Sequence, residues 1–300
     1  MCLVFIGELC ITYYKQTNIP NHPDQDSTFL DHVRGGLRIN LAVCVDLTSS
    51  ATALHRPEIR TQENPYTTAI RVVGEILADY DYDKKILGLG FGSTFGEGEI
   101  VRHCFPLCDN EPYCTGVEGV LAGYRETLDN ATLAEPTRYS DVLQFVSEDA
   151  KRAGDAVEYS VILIITDGGV TDLEETKETL VRLSKQPISV VFLGVGDGDM
   201  SALQALDGDK ARISSKGEQA DRDIVQFVHL NTFLTSGLVN PADFDGSTDA
   251  AEARLGIAKA VLAEIPRQVV EYTRRAGILP RVPEVPVEHE LEDFDKRFNL

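Results

Sequence analysis

The segment Tyr159–Thr166 (YSVILIIT) constrains the fold more than any other part of the chain. It is a near-continuous apolar run rich in β-branched residues. A strand that is polar on neither side must be covered on both faces, which places it inside a sheet with helices above and below. Ile188–Val195 (ISVVFLGV) has the same character, and Arg38–Asp46 (RINLAVCVD) alternates before it too becomes a buried run. Ile86–Phe91 and Ile224–Val228 supply shorter strands. Helical periodicity falls between them. It covers Ala69–Tyr80 (Ile70, Val73, Ile76, Leu77 and Tyr80 on one side), Val117–Leu128, Ser140–Ala153 and Leu173–Ser184, the last with Asp172 placed to cap it. A short helix follows Asp199, and Ala250–Ile265 and Arg267–Arg275 read as helices separated by Pro266. Residues 99–107 (EIVRHCFPL) look like a further strand. This alternation predicts an α/β fold: a doubly wound, mostly parallel sheet with helices on both faces. Ligands of such sheets bind at the carboxyl ends of the strands, where strand order reverses.

Three hundred residues, 43% hydrophobic, can build one sizeable core. No apolar run reaches the roughly eighteen residues of a membrane span. The net charge of −20 repels nucleic acid and anionic lipid at long range and favours cations and basic partners. Cys2, Cys10, Cys44, Cys104, Cys108 and Cys114 make no dense framework and are expected to be reduced thiols of a cytoplasmic protein. The start, MCLVFIGELC, has no basic residue and is interrupted by Glu8, unlike a signal peptide. Residues 1–27 read as an N-terminal segment, 28–280 as the main domain, and 281–300, with six acids and spaced prolines, as a disordered acidic tail.

The chemistry sits where two strands end. Asp46-x-Thr48-x-Ser50 leaves the first long strand. Alternate residues of an extended segment point the same way, so one carboxylate and two hydroxyls can converge. Thr166-Asp167-Gly168-Gly169 leaves the central strand at the same edge with a second carboxylate. All are hard oxygen donors, suited to Mg²⁺ or Mn²⁺ and not to Zn²⁺.

These motifs resemble the metal-ion-dependent adhesion site of von Willebrand factor type A domains. More narrowly, the chain resembles the A domain of the copines. The resemblance runs in order from Phe29 to Pro280 through VCVDLTSS, VVGEILADYDYDK, LGLGFG, EPYCTGVEGVLAGY, EPTRYSDVL, VILIITDGGVTDLEET and VLAEIPRQVVEY. It implies metal ligands at Asp46, Thr48, Ser50, Thr137 and Asp167, with Thr137 in a loop after Pro136. Two departures stand out: Glu135 where the family's loop has glycine, and Ala51-Thr52 where Asn-Gly is usual. The resemblance implies a Mg²⁺- or Mn²⁺-binding protein-interaction module, not an enzyme. Its expected partners are intracellular proteins presenting Asp or Glu, with no nucleic acid and no direct membrane binding by this chain. Full-length relatives reach phospholipid through two preceding C2 domains, for which this chain has no room. Residues 1–27 resemble the end of such a domain plus a linker, so the chain is expected to be either an A-domain-only relative or a truncated product.

Other chemistries fit less of the pattern. Haloacid-dehalogenase-like phosphatases also begin with a strand ending in Asp, here Asp46 as nucleophile, but require a second carboxylate where Thr48 stands. Gly88, Gly90, Gly92 and Gly96 miss the dinucleotide-loop spacing. His103, Cys104, Cys108 and Cys114 fit no zinc spacing. Asp197, Asp199, Asp207 and Asp209 lack the order of a calcium loop and read as solvated or capping residues.

Overall fold

The computed structural model describes residues 27–281 except 57–62, 79–80, 82, 97, 109–111, 151–157, 209–210 and 234–255. The expected N-terminal segment and acidic tail therefore lie outside the described residues, apart from Ser27 and Arg281.

The elements follow the hydrophobic periodicity. They are α1 (Phe29–Arg34), β1 (Arg38–Asp46), α2 (Pro65–Ala78), β2 (Lys85–Phe91), β3 (Phe105–Pro106), β4 (Tyr113–Thr115), α3 (Gly116–Asn130), α4 (Ser140–Ala150), β5 (Glu158–Thr166), α5 (Leu173–Leu183), β6 (Ile188–Gly194), α6 (Ser201–Leu206), β7 (Val225–His229) and α7 (Ile265–Arg275). The sheet order is β7-β6-β5-β1-β2, parallel throughout, with β3 and β4 both antiparallel on β2. The chain runs outward from β1 to β2, then returns to the other side of β1 for β5, β6 and β7. The reversal of strand order therefore falls between β1 and β5. This is the doubly wound sheet expected from the sequence.

Strand residues divide by parity, as a pleated sheet requires. Leu41, Val43 and Val45 of β1 and Val161, Leu163 and Ile165 of β5 face α2, α3 and α7, meeting Ile70, Val73, Leu121 and Val269. Ala42 and Cys44, with Ile162 and Ile164, face α4, α5 and α6, meeting Val142, Leu143, Leu180 and Leu203.

Several elements differ from expectation. Helix α2 starts at Pro65, four residues early, because Asn64 caps it: Thr67 N–H donates to Asn64 Oδ1 at 2.8 Å, and Asn64 N–H donates to Thr67 Oγ1 at 2.8 Å. Pro266 does not divide one helix from another. It sits in the first turn of α7, where its missing N–H costs nothing, while 256–261 form a separate helical segment. Of residues 99–107, only Phe105–Pro106 becomes a strand. The cysteine expectation is corrected too. Because β3 and β4 both return to β2, Cys108 and Cys114 come within 5.8 Å between Cα atoms and form a disulfide. Cys44 and Cys104 are free thiols, with Cys104 pushed up to about 12 by burial and the nearby Asp141. With Cys108 and Cys114 paired, the His103/Cys104/Cys108/Cys114 set is not a thiolate zinc site.

At the amino edge of the sheet, Arg222 is almost wholly buried. Its guanidinium donates to Tyr159 Oη at 3.0 Å, to Ile188 O at 2.6 Å and to Gln186 O, and lies over the rings of Tyr159 and Tyr272. It thereby joins β5, the start of β6, and α7. Arg222→Ala would strand those acceptors. We expect it to cost about 3 kcal/mol, read as a lower urea midpoint at unchanged slope.

Candidate metal site at the carboxyl edge

The site lies where β1 and β5 diverge. Their register sets Val45 beside Ile165, so Asp46 and Thr166 leave the sheet at the same level. Asp46 is fully buried. Thr166 Oγ1–H donates to its Oδ2 at 2.6 Å, while Thr48 N–H (3.0 Å) and Thr48 Oγ1–H (2.6 Å) donate to its Oδ1. Thr48 Oγ1 is 3.1 Å from Ser50 Oγ and 3.2 Å from Thr137 Oγ1. The strand-end motif therefore curls over its own aspartate, but Ser50 is brought in by a 3₁₀ turn (Ser49–Ala51) and not by the strand alternation expected. Gly92, at the end of β2, makes room for it. Its φ is +84°, and a Cβ there would lie 2.1 Å from Thr48 Cγ2.

Asp167 enters from the β5 loop, with Gly169 N–H donating to its Oδ1 at 3.2 Å. A Cβ placed on Gly169 would lie 3.5 Å from Asp167 Oδ1, 3.5 Å from Thr137 Oγ1 and 3.9 Å from Ser50 Oγ. Three oxygens from three separate loops thus face one point in front of that glycine. All five residues singled out from the sequence belong to this one edge. Asp46, Thr48 and Thr137 are buried, Asp167 is half-buried and Ser50 is exposed.

The Thr137 loop is stitched to the Asp167 loop. Thr171 N–H and Oγ1–H both donate to Thr137 O, at 3.0 and 2.5 Å. Tyr139 Oη–H donates to Gly169 O and lies 2.7 Å from Thr166 Oγ1. Asp172 has a different role from the one expected. It stands at the start of α5 and takes Thr176 Oγ1–H at 3.1 Å, but its carboxylate receives the N–H groups of Tyr139 and Ser140, at 3.1 and 2.9 Å, which open α4. Tyr139 is a site residue that sequence reasoning missed, with no local period to point to it. Thr166 was read as part of the strand-end motif, but not as the partner of Asp46.

Burial pushes the Asp46 carboxyl up to about 7, against the hydrogen bonds from Thr166 and Thr48 and with help from the charge of Asp167. Burial pushes His55 the other way, down to about 4, opposed by the nearby Asp46 backbone. The His55 ring stacks on Tyr66 at 4.2 Å, with Nδ1 2.7 Å from Tyr124 Oη.

The donors are two carboxylates and three hydroxyls, the chemistry of Mg²⁺ or Mn²⁺. Among the described residues no three His, Cys, Asp or Glu side chains gather into a metal cage. Any ion here would therefore depend on the neutral hydroxyls.

A parallel doubly wound sheet with this edge is a von Willebrand factor type A fold. The copine family model matches residues 53–281, and the chain belongs to the copine family. Solved structures similar to it include the manganese-loaded TRAP protein of Plasmodium vivax. That protein is 13% identical with a TM-score of 0.43, over 67% of this chain and 72% of that one. The SpRpn10 VWA domain is 12% identical with a TM-score of 0.42, over 64% and 87%. A von Willebrand factor type A protein from Catenulispora acidiphila is 14% identical with a TM-score of 0.38, over 75% of this chain and 43% of that one.

The two shifted groups bear oppositely on stability. Asp46 keeps a proton that the unfolded chain releases above its ordinary value of 3.8, so its contribution is full below about pH 4 and is lost as pH rises to about 7. His55 refuses a proton that the unfolded chain takes up below 6.5, so its contribution is full above that value and is lost as pH falls to about 4. Asp46→Asn removes only the first. In chelator, the variant should lose more stability than the wild type on acidification from pH 6.5 to 4, by up to ~1.4 kcal/mol per pH unit. Urea unfolding across this range checks it; parallel profiles for the two proteins would refute it.

Proposed function

We propose that this chain is a protein-interaction module, spanning about residues 28–280, that binds Mg²⁺ or Mn²⁺ through Asp46, Thr48, Ser50, Thr137 and Asp167. With the ion held there, an Asp or Glu side chain of a partner protein would complete the site. The observation that carries this reading is the convergence of Asp167 Oδ1, Thr137 Oγ1 and Ser50 Oγ on one point before Gly169. The ion would supply positive charge and a coordination position open to a partner's carboxylate. The chain's own residues do the rest. Asp46 provides a charge held in place by Thr48 and Thr166, and the hydroxyls add donors without adding charge. The Tyr139–Gly169 and Thr171–Thr137 bonds fix the spacing of the loops.

The net charge of −20 does not preclude an acidic partner. At physiological salt the Debye length is about 8 Å, so distributed charge slows encounter more than it weakens a direct contact. In the family's setting the module would recruit cytoplasmic partners in calcium-dependent membrane signalling or trafficking, while this chain alone would not bind anionic vesicles. Among the described residues no helix is long and apolar enough to cross a membrane. Under the alternative reading, a Mg²⁺-dependent phosphoester hydrolase, Asp46 would be the nucleophile. Its burial and its hydrogen bonds on both oxygens favour a held ligand over an attacking group.

Mg²⁺ or Mn²⁺ should raise the melting temperature, equivalent to roughly 2.7 kcal/mol at a hundredfold excess over the dissociation constant. Asp46→Ala and Asp167→Ala should abolish the gain. Thr137→Ala should weaken metal-dependent capture of an acidic partner while leaving the fold intact. Affinity for the ion should fall as pH drops below about 7, because a proton then competes for Asp46. Melting unchanged by millimolar metal would sink the reading, and metal-dependent turnover of a phosphoester would favour the hydrolase.

A further inference from the structure

Glu135 replaces the family's usual loop glycine, and its carboxylate, though exposed, is held by hydrogen bonds. Its Oε1 accepts Ser50 N–H at 3.0 Å and Ser49 Oγ–H at 3.2 Å, and its Oε2 accepts Thr137 Oγ1–H at 3.2 Å. It thus bridges two of the three loops of the site through Ser50 and Thr137, both in the candidate ligand set. Its bonds are all to neutral donors. The adjacent cation, Arg138, is turned away to Asp141 at 2.9 Å.

The position of this charge matters. Asp46, Thr48 and Thr137 are buried, while Ser50 and Glu135 are exposed and Asp167 is half-buried, so among the described residues the site opens on their side. A partner's carboxylate must come from that side. Asp46 and Asp167 together balance a divalent ion. Glu135 adds one further negative charge on the approach.

We propose that Glu135 is the specificity-determining residue of this edge: an acid at its rim, outside the ion's own ligands, that strengthens attraction for the divalent cation and weakens attraction for an incoming carboxylate. This rests on the metal-site reading above. A unit charge a few ångströms away across a partly solvated edge is worth roughly 1 kcal/mol, a three- to tenfold change in either constant. The site should therefore be harder for a simple acid to enter than one with glycine at this position. Partners that engage it would need further contacts, or a basic group beside their acid to meet Glu135.

The test uses the full chain with Mn²⁺ as both ion and reporter. Mn²⁺ affinity is measured by titration, and acetate binding by the loss of water-proton relaxation as acetate displaces water from the bound ion. Glu135→Gln removes the charge but keeps an oxygen for Ser50 N–H. It should bind Mn²⁺ about three- to tenfold more weakly and, once loaded, bind acetate about three- to tenfold more tightly. Glu135→Gly should shift both constants in the same directions, and metal-free melting curves report whether each variant is folded. A residue that only ties loops together would, on replacement, weaken both constants. That result, unchanged constants, or acetate failing to bind every loaded protein would overturn the proposal. If neither wild type nor variants bind Mn²⁺, the metal site itself falls, an outcome distinct from Mn²⁺ binding with unaltered acetate affinity.

Discussion

Parallel pairing of β1 with β5, in the register that sets Val45 beside Ile165, is the contact on which the carboxyl edge depends. Adjacent strands lie about 4.8 Å apart, so residues leaving the sheet at one level meet side chain to side chain, and Thr166 reaches Asp46 at 2.6 Å. A slip of one residue would turn every β5 side chain to the opposite face. It would expose Val161, Leu163 and Ile165 to the wrong helices and carry Thr166 away from the carboxylate. The apolar packing on both faces therefore fixes the polar geometry at the end. The same pairing is where strand order reverses, so the loops on either side diverge and leave Asp46 at the bottom of the gap.

The two ends of the sheet solve one problem in one way. Arg222 and Asp46 are each buried. Each is met by neutral partners: carbonyls and a phenol around Arg222, hydroxyls and a backbone N–H around Asp46. Burying a charge is costly unless it is paired or hydrogen-bonded. A counter-ion at Asp46 would cancel its field, whereas hydroxyls steady the carboxylate and leave its charge available to a cation.

The layers of the fold were legible because burial on two faces leaves an unmistakable pattern. Tyr159–Thr166 reads as a doubly covered strand, and Asp46-x-Thr48-x-Ser50 reads as a set of oxygens at a strand end, although a 3₁₀ turn, not alternation, brings in Ser50. Thr137 was placed by family resemblance, since no local period points to it. The features that escaped depend on partners distant in sequence. Cys108 and Cys114 are close only because two short strands return to β2. Asp172 lies next to α5, but its strongest claimants are N–H groups more than thirty positions away. The Asn64–Pro65 start of α2 and the place of Pro266 are readable from capping rules alone, but the apolar period there points elsewhere and outweighs them.

Asp172 gives the molecule a mechanical property. One carboxylate grips the opening turn of α4 while its own residue begins α5, so two neighbouring helices share a pin at their origins. Thr137 lies just ahead of that pin and is bonded to Thr171 just behind it. The Thr137 loop is thus tied to the origins of both helices at once. The eleven residues of α4 extend about 16 Å from that shared point.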